Sequence, residues 1–148
     1  MQIIYTNDQS KISTEMLSGG FFAGWPNPPN AATHLQILQN SYMTYIAIDA
    51  ETGKVIGFIN AISDGVLSAY IPLLEVLSVY RGRGIGGKLV QMILAELADL
   101  YMVDIVCDEN IQPFYAKLGA KGCSASIFRN YAVQSGNVTT VAACHSSS

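Results

Sequence analysis

Charge is scarce in this sequence. Only 13% of its 148 residues are Asp, Glu, Lys or Arg, and they sum to a net charge of -3 at pH 7. With a pI near 5.2, the chain has no electrostatic footprint for nucleic acid or for an anionic membrane surface. Histidine occurs twice, at His34 and His145, and cysteine three times, at Cys107, Cys123 and Cys144. No C-x-x-C pair exists, so neither a structural zinc site nor a disulfide framework is expected. A reduced cytoplasmic setting fits best, with no metal ligands. No apolar run reaches the roughly 18 residues of a membrane span. The opening MQIIYTNDQSK lacks the basic region, apolar block and small-residue cleavage site of an export signal. What the chain has instead is apolar material: half of its residues are hydrophobic, with a mean hydropathy of +0.29. That suits one compact domain over residues 1–148 with a substantial core. A tail from about 136 to 148, ending in Ser146-Ser147-Ser148, is expected to be flexible.

The hydrophobic pattern predicts a mixed α/β domain. QIIY (2–5) reads as a strand, and SKISTEMLSGG (10–20) as a helix closed by Gly19-Gly20. FFAGWPNPPN (21–30) is irregular because of Pro26, Pro28 and Pro29; AATHLQILQNS (31–41) is helical, with His34 expected on its surface. YMTYIAIDA (42–50) and VIGFINAISDG (55–65) form a hairpin around ETGK. AYIPLLEVLSV (69–79) is a third strand. Its Pro72 donates no ladder hydrogen bond and so predicts a bulge or a free edge there. A helix from about Gly84 to Leu100 follows, with Leu89, Ile93, Leu94 and Leu97 on one side. YMVDIVC (101–107) is a strand, IQPFYAKLG (111–119) a short helix, and SIFRNYAV (126–133) a last strand.

One stretch, YRGRGIGGKLV (80–90), carries three nucleotide-binding signatures at once. Gly82, Gly87 and Lys88 spell a phosphate loop, but a Mg-nucleotide site needs Ser or Thr next, where Leu89 stands. Gly82, Gly84 and Gly87 spell a dinucleotide fingerprint, with Asp104 or Asp108 at about the expected distance. Yet a hairpin precedes it, and too little chain follows Asp108 for a second mononucleotide half. Arg81, Gly84 and Gly86 spell R-x-x-G-x-G, which agrees with the whole order of elements.

From about Tyr42 to Tyr131 the chain resembles the GNAT superfamily of acyl-CoA-dependent N-acyltransferases. LLEVLSVYRGRGIGGKLV (73–90) looks like that family's cofactor motif and DENIQPFYAKLGAKG (108–122) like its C-terminal motif. CDENIQPFY (107–115) is also similar to the matching segment of arylalkylamine N-acetyltransferases. The resemblance implies a mostly antiparallel central sheet with splayed middle strands, flanked by helices. It also implies acetyl-CoA as cosubstrate and direct transfer to a primary amine of a small molecule. A glycine turn at a helix N-terminus suits a pyrophosphate, because backbone N–H groups approach without Cβ atoms in the way and the helix dipole helps. Gly82, Gly84, Ile85, Gly86 and Gly87 are assigned to it, with Arg81 and Arg83 adding charge. By resemblance, the main chain of Leu74, Glu75, Val76 and Leu77 receives the pantetheine arm, and one N–H there stabilises the oxyanion.

Tyr115 matches the family's tyrosine near the thioester sulfur and is the expected general acid. The base is open. Tyr70, Pro72 and Ile71 stand where relatives carry histidine or glutamate, which leaves Glu75, or a water chain reaching Asp108. Asp108 has an alternative use as the cap of the next helix. Phe22, Trp25 and Tyr42 are expected to line an apolar acceptor pocket; core packing or a homodimer contact would use the same aromatics. Cys107 is expected to be a buried packing residue. The alternative to an enzyme is a non-catalytic acyl-CoA-binding sensor or regulatory module that has lost its base.

Overall fold

The computed structural model describes residues 1–137. Five strands form one sheet in the order β1 (Ile3–Thr6), β2 (Met43–Asp49), β3 (Val55–Ser63), β4 (Ser68–Val76) and β5 (Met102–Ile105). All neighbours are antiparallel except β4 and β5, which run parallel. Among the described residues, three helices accompany the sheet: α1 (Ala31–Gln39), α2 (Ile85–Glu96) and α3 (Gln112–Ala116). Among the described residues, no helix is long and apolar enough to cross a membrane.

The sheet carries a core on each face, so β2 and β3 are buried on both sides and read as nearly continuous apolar runs. On one face α2 inserts Ile85, Leu89, Val90, Ile93 and Leu97 against Ile56, Ile59 and Ala61. Gly57 lets it come close: a Cβ there would meet Glu75 O at 3.3 Å and Ile85 and Leu89 methyls at 3.4 Å. On the other face Ile12, Leu17, Phe21, Phe22 and Leu38 cover Ile46, Val55 and Phe58.

Two expected elements are absent. Residues 10–20 make two single 3-10 turns, Gln9–Lys11 and Glu15–Leu17, rather than a helix. Asp8 and Ser18 side chains bond to local backbone, which competes with helix propagation. Only Ile12 and Leu17 of that stretch are buried. Residues 126–133 form no strand: Phe128 is 96% exposed, and the Asn130 side chain accepts from Ala132 N–H, turning the chain into the 3-10 turn Tyr131–Val133. The α2 helix also stops at Glu96, four residues early. The tail expectation lies outside the described residues, save for Gly136 and Asn137.

His34 is not on a surface. It is buried, with edge contacts to Phe21, Phe22 and Phe58 at ring-centroid distances of 5.2, 4.9 and 4.4 Å. Desolvation lowers its pKa to about 4. The Pro-rich loop that wraps the His34 side is invisible to a periodicity argument over α1.

Candidate active site

Pro72 is where the sheet opens. The β3–β4 register slips between Asn60 and Ile62, so β4 bulges at Ile71-Pro72. Parallel pairing of β4 with β5 ends at Ile71↔Ile105. Proline has no N–H to continue that ladder, and from there the two strands part. A cleft of about 860 Å³ fills the gap.

The register decides which main-chain groups face it. Leu77 N–H donates to Ile56 O at 2.8 Å, and Glu75 stands opposite Phe58. Antiparallel bonding alternates, so Leu73, Glu75 and Leu77 bond to β3 while Leu74 and Val76 turn their N–H and C=O toward the gap. Of the four residues expected to offer backbone, two do. Val76 O already accepts from Arg81 Nε at 3.0 Å.

At one end of the cleft the chain enters α2 through a glycine turn. Gly82 and Gly84 both have φ of 79°, the left-handed region that glycine occupies without strain. Lys88 N–H returns to Gly84 O at 3.0 Å, so Ile85, Gly86 and Gly87 N–H groups lie in the first turn without intrahelical acceptors. Gly86 backs onto Phe114 and Val76, whereas a Cβ at Gly87 would meet nothing within 4 Å. Gly87 has no positive φ either, so neither the turn nor packing requires a glycine there. Arg81 lines the cleft. Arg83 does not: its guanidinium lies over the Tyr80 ring, 5.8 Å from the centroid, with one nitrogen 3.6 Å from Met1 Sδ.

The other walls come from distant sequence. Tyr115, Cys107 and Asp108 reach the cleft from α3 and the loop after β5, and Phe22 and Trp25 from the Pro-rich loop. Tyr115 is half-buried, and burial first, then the Cys107 thiol, raises its pKa above the usual value of 10.0. It is a protonated hydroxyl at neutral pH. Cys107 is half-buried rather than buried. Asp108 precedes the 3-10 turn Glu109–Ile111 without a side-chain capping bond, leaving its carboxylate on the cleft wall. Glu75 Oε1 accepts a hydrogen bond from Phe22 N–H at 2.8 Å.

Leu77 and Tyr42 lie elsewhere. Leu77 packs its side chain in the core opposite α2. Tyr42 is 50% exposed beside the Gly65 turn, so it forms no wall of this cleft. Tyr80 was not anticipated; it lines the cleft, and its hydroxyl donates to Asp49 Oδ2 at 2.8 Å. That bond spans 31 residues, and no local pattern announces it.

No functionally curated protein matches the sequence. A provisionally named acetyltransferase from Deinococcus radiodurans R1 is 44% identical, with a TM-score of 0.86 over 90% of this chain and 92% of its own. A GNAT-family acetyltransferase from Streptococcus pneumoniae TIGR4, SP0256, is 26% identical, with a TM-score of 0.70 over 87% and 98%. The acetyltransferase AAC(6')-Iy, solved with the bisubstrate analog CoA-S-monomethyl-acetylneamine, shares the fold alone, at 18% identity and a TM-score of 0.62 over 88% and 98%. The sequence profile described as the Acetyltransferase (GNAT) family matches residues 13–120, the span that holds both the glycine turn and Tyr115. The chain belongs to the GNAT acetyltransferase family.

Proposed function

We propose that this protein is an acetyl-CoA-dependent N-acetyltransferase that moves the acetyl group directly to a primary amine of a small molecule. The observation that carries this reading is Gly87. Neither backbone conformation nor packing explains its missing side chain, and it sits beside unbonded N–H groups in a cleft. A pyrophosphate cradled there would explain it.

The residues present fit coenzyme A along its length. The first-turn N–H groups of α2 and the Arg81 side chain suit the pyrophosphate, and the open Leu74 and Val76 edge suits an amide-bearing arm. Bound acetyl-CoA supplies an activated acyl group as a thioester. Leu74 and Val76 N–H groups, fixed by the β4 backbone, are placed to donate to the thioester oxygen as negative charge develops on it. Glu75 takes a proton from the bound ammonium and so frees the amine lone pair to attack the thioester carbonyl, and the orientation of Glu75 is set by the bond to Phe22 N–H. Tyr115, protonated at neutral pH, donates to the departing sulfur. Arg83, turned toward Tyr80, contributes charge near the turn rather than a contact in the cleft.

Thermal-shift titration with acetyl-CoA, CoA, NAD and ATP tests the reading, since a ligand that binds only the native state raises apparent stability. The expected outcome is a shift with the CoA species alone, followed by thiol release from acetyl-CoA when an amine is added. Folded protein that shifts with no CoA species would sink the proposal. The engagement of Glu75 by Phe22 favours a second reading, a non-catalytic acyl-CoA sensor in which that carboxylate only tethers the loop. A shift without thiol release from any amine would select it.

A further inference from the structure

The glycine turn that opens α2 has little of its own to hold it in place. A Cβ at Gly82 or Gly84 would meet nothing within 4 Å, and glycine loses more conformational freedom on folding than any other residue. A turn that had to be ordered by its ligand would weaken binding by the cost of ordering it. Two of the bonds at the turn are local. Lys88 N–H returns to Gly84 O at 3.0 Å, and Arg81 Nε returns to Val76 O at 3.0 Å. Both lie within the strand–turn–helix unit and do not tie it to the rest of the fold. Arg83 reaches Met1 Sδ at 3.6 Å, but a thioether sulfur is a weak acceptor.

Tyr80 makes the strong long-range tie. It ends the 3-10 turn Ser78–Tyr80, two residues before Gly82. Its N–H donates to Leu77 O at 2.9 Å, its ring packs against the α2 core and lines the cleft, and its hydroxyl donates to Asp49 Oδ2 at 2.8 Å. The Arg83 guanidinium, from the far side of Gly82, lies over the same ring at 5.8 Å from its centroid.

Asp49 is a fixed post for that bond. It is the last residue of β2 and only 4% exposed. Its N–H donates to Lys54 O at 3.0 Å and its C=O accepts from Gly53 N–H at 2.8 Å. Oδ1 accepts from Glu51 N–H at 2.9 Å, which leaves Oδ2 directed at Tyr80. The Glu51 N–H first, then the Tyr80 hydroxyl, lowers the Asp49 pKa. The acceptor is thus a carboxylate at neutral pH, and the bond is charge-assisted.

We propose that Asp49 and Tyr80 are positioning residues for the cofactor: their bond anchors the entry to the glycine turn on the β2–β3 hairpin and so presets the first-turn N–H groups of α2 for the pyrophosphate of acetyl-CoA. The inference rests on the acetyl-CoA reading and adds Asp49, a residue from outside both sequence motifs. Calorimetric titration with acetyl-CoA tests it. Tyr80→Phe keeps the ring and removes the hydroxyl. Its Kd should rise about tenfold, the lower end of what a hydrogen bond to a charged group contributes. Asp49→Ala should raise the Kd by a similar factor, and the double variant no further, because the two side chains act through one bond. Tyr80→Phe decides alone if Asp49→Ala does not fold. A bond that served stability only would lower the Tm of Tyr80→Phe and leave the Kd of the folded protein at the wild-type value; that result would overturn the inference and leave the acetyl-CoA reading standing. So would losses that add in the double variant. Folded wild-type protein that binds no acetyl-CoA would overturn both.

Discussion

Tyr115 shows how much one side chain depends on its surroundings. Its hydroxyl lies half-buried beside Cys107, and both burial and that thiol keep it protonated. A phenol so placed is a proton donor and a poor base, which suits the departing thiolate. Tyr115→Phe should lower kcat by about 10²- to 10⁴-fold, the usual contribution of a general acid, with acetyl-CoA affinity within experimental scatter of wild type. Steady-state thiol release alongside an acetyl-CoA titration checks both halves, and unchanged turnover would remove the assigned role. The motif around Tyr115 was legible in the sequence because PFY and its neighbours are contiguous. Its companions were not. Glu75 and Phe22 are 53 residues apart, and the bond between them exists only because the Pro-rich loop folds onto β4.

At the scale of elements, the strand–turn–helix unit from β4 to α2 organises the site, and its glycines have distinct reasons. Gly82 and Gly84 serve the turn; Gly87 sits in the first turn of α2, facing open space. Helical Gly→Ala substitution ordinarily stabilises a protein by about 0.5–1 kcal/mol. Gly87→Ala should therefore raise stability toward urea by about that amount while weakening acetyl-CoA binding about tenfold or more, because the added methyl enters the proposed pyrophosphate cradle. Increased stability with undiminished acetyl-CoA affinity would show that the open space has no ligand. The absence of an N–H at Pro72 was readable as a bulge or a free edge, and the register shift between β3 and β4 shows the bulge. Residues 126–133 mark the opposite case: their composition suits a strand, but among the described residues no neighbouring edge pairs with them.

For the molecule as a whole, His34 joins three parts: α1, the Phe21–Phe22 loop and Phe58 of β3. Burial lowers its pKa from 6.5 to about 4. Between those values the unfolded chain binds a proton that the native state resists, so stability falls as pH drops from 6.5 toward 4 and its contribution then levels off. At about 1.4 kcal/mol per unit, the loss is on the order of 3 kcal/mol. Carboxylates held by hydrogen bonds, such as Asp49 and Asp64, have lowered pKa values and act in a lower window, below their ordinary 3.8. His34→Phe should flatten the curve of unfolding free energy between pH 6.5 and 4, measured by urea denaturation at several pH values. Equal slopes for the two proteins would mean that His34 does not carry this dependence.

By itself, the sequence determined what short-range physics controls: the apolar runs of β2 and β3, the proline break, the α2 stripe and the glycine turn. With the contiguous motif at Tyr115, these identify the family. Only the tertiary structure decided which of Leu74, Glu75, Val76 and Leu77 open their backbone to the cleft, because strand register depends on a partner elsewhere in the chain. It also decided that Tyr42 stands apart and His34 lies inside, and that Phe22 holds Glu75. The reason is one of range. Periodicity and turn chemistry act over a few residues, whereas the site is assembled from segments brought together by two cores on opposite faces of one sheet.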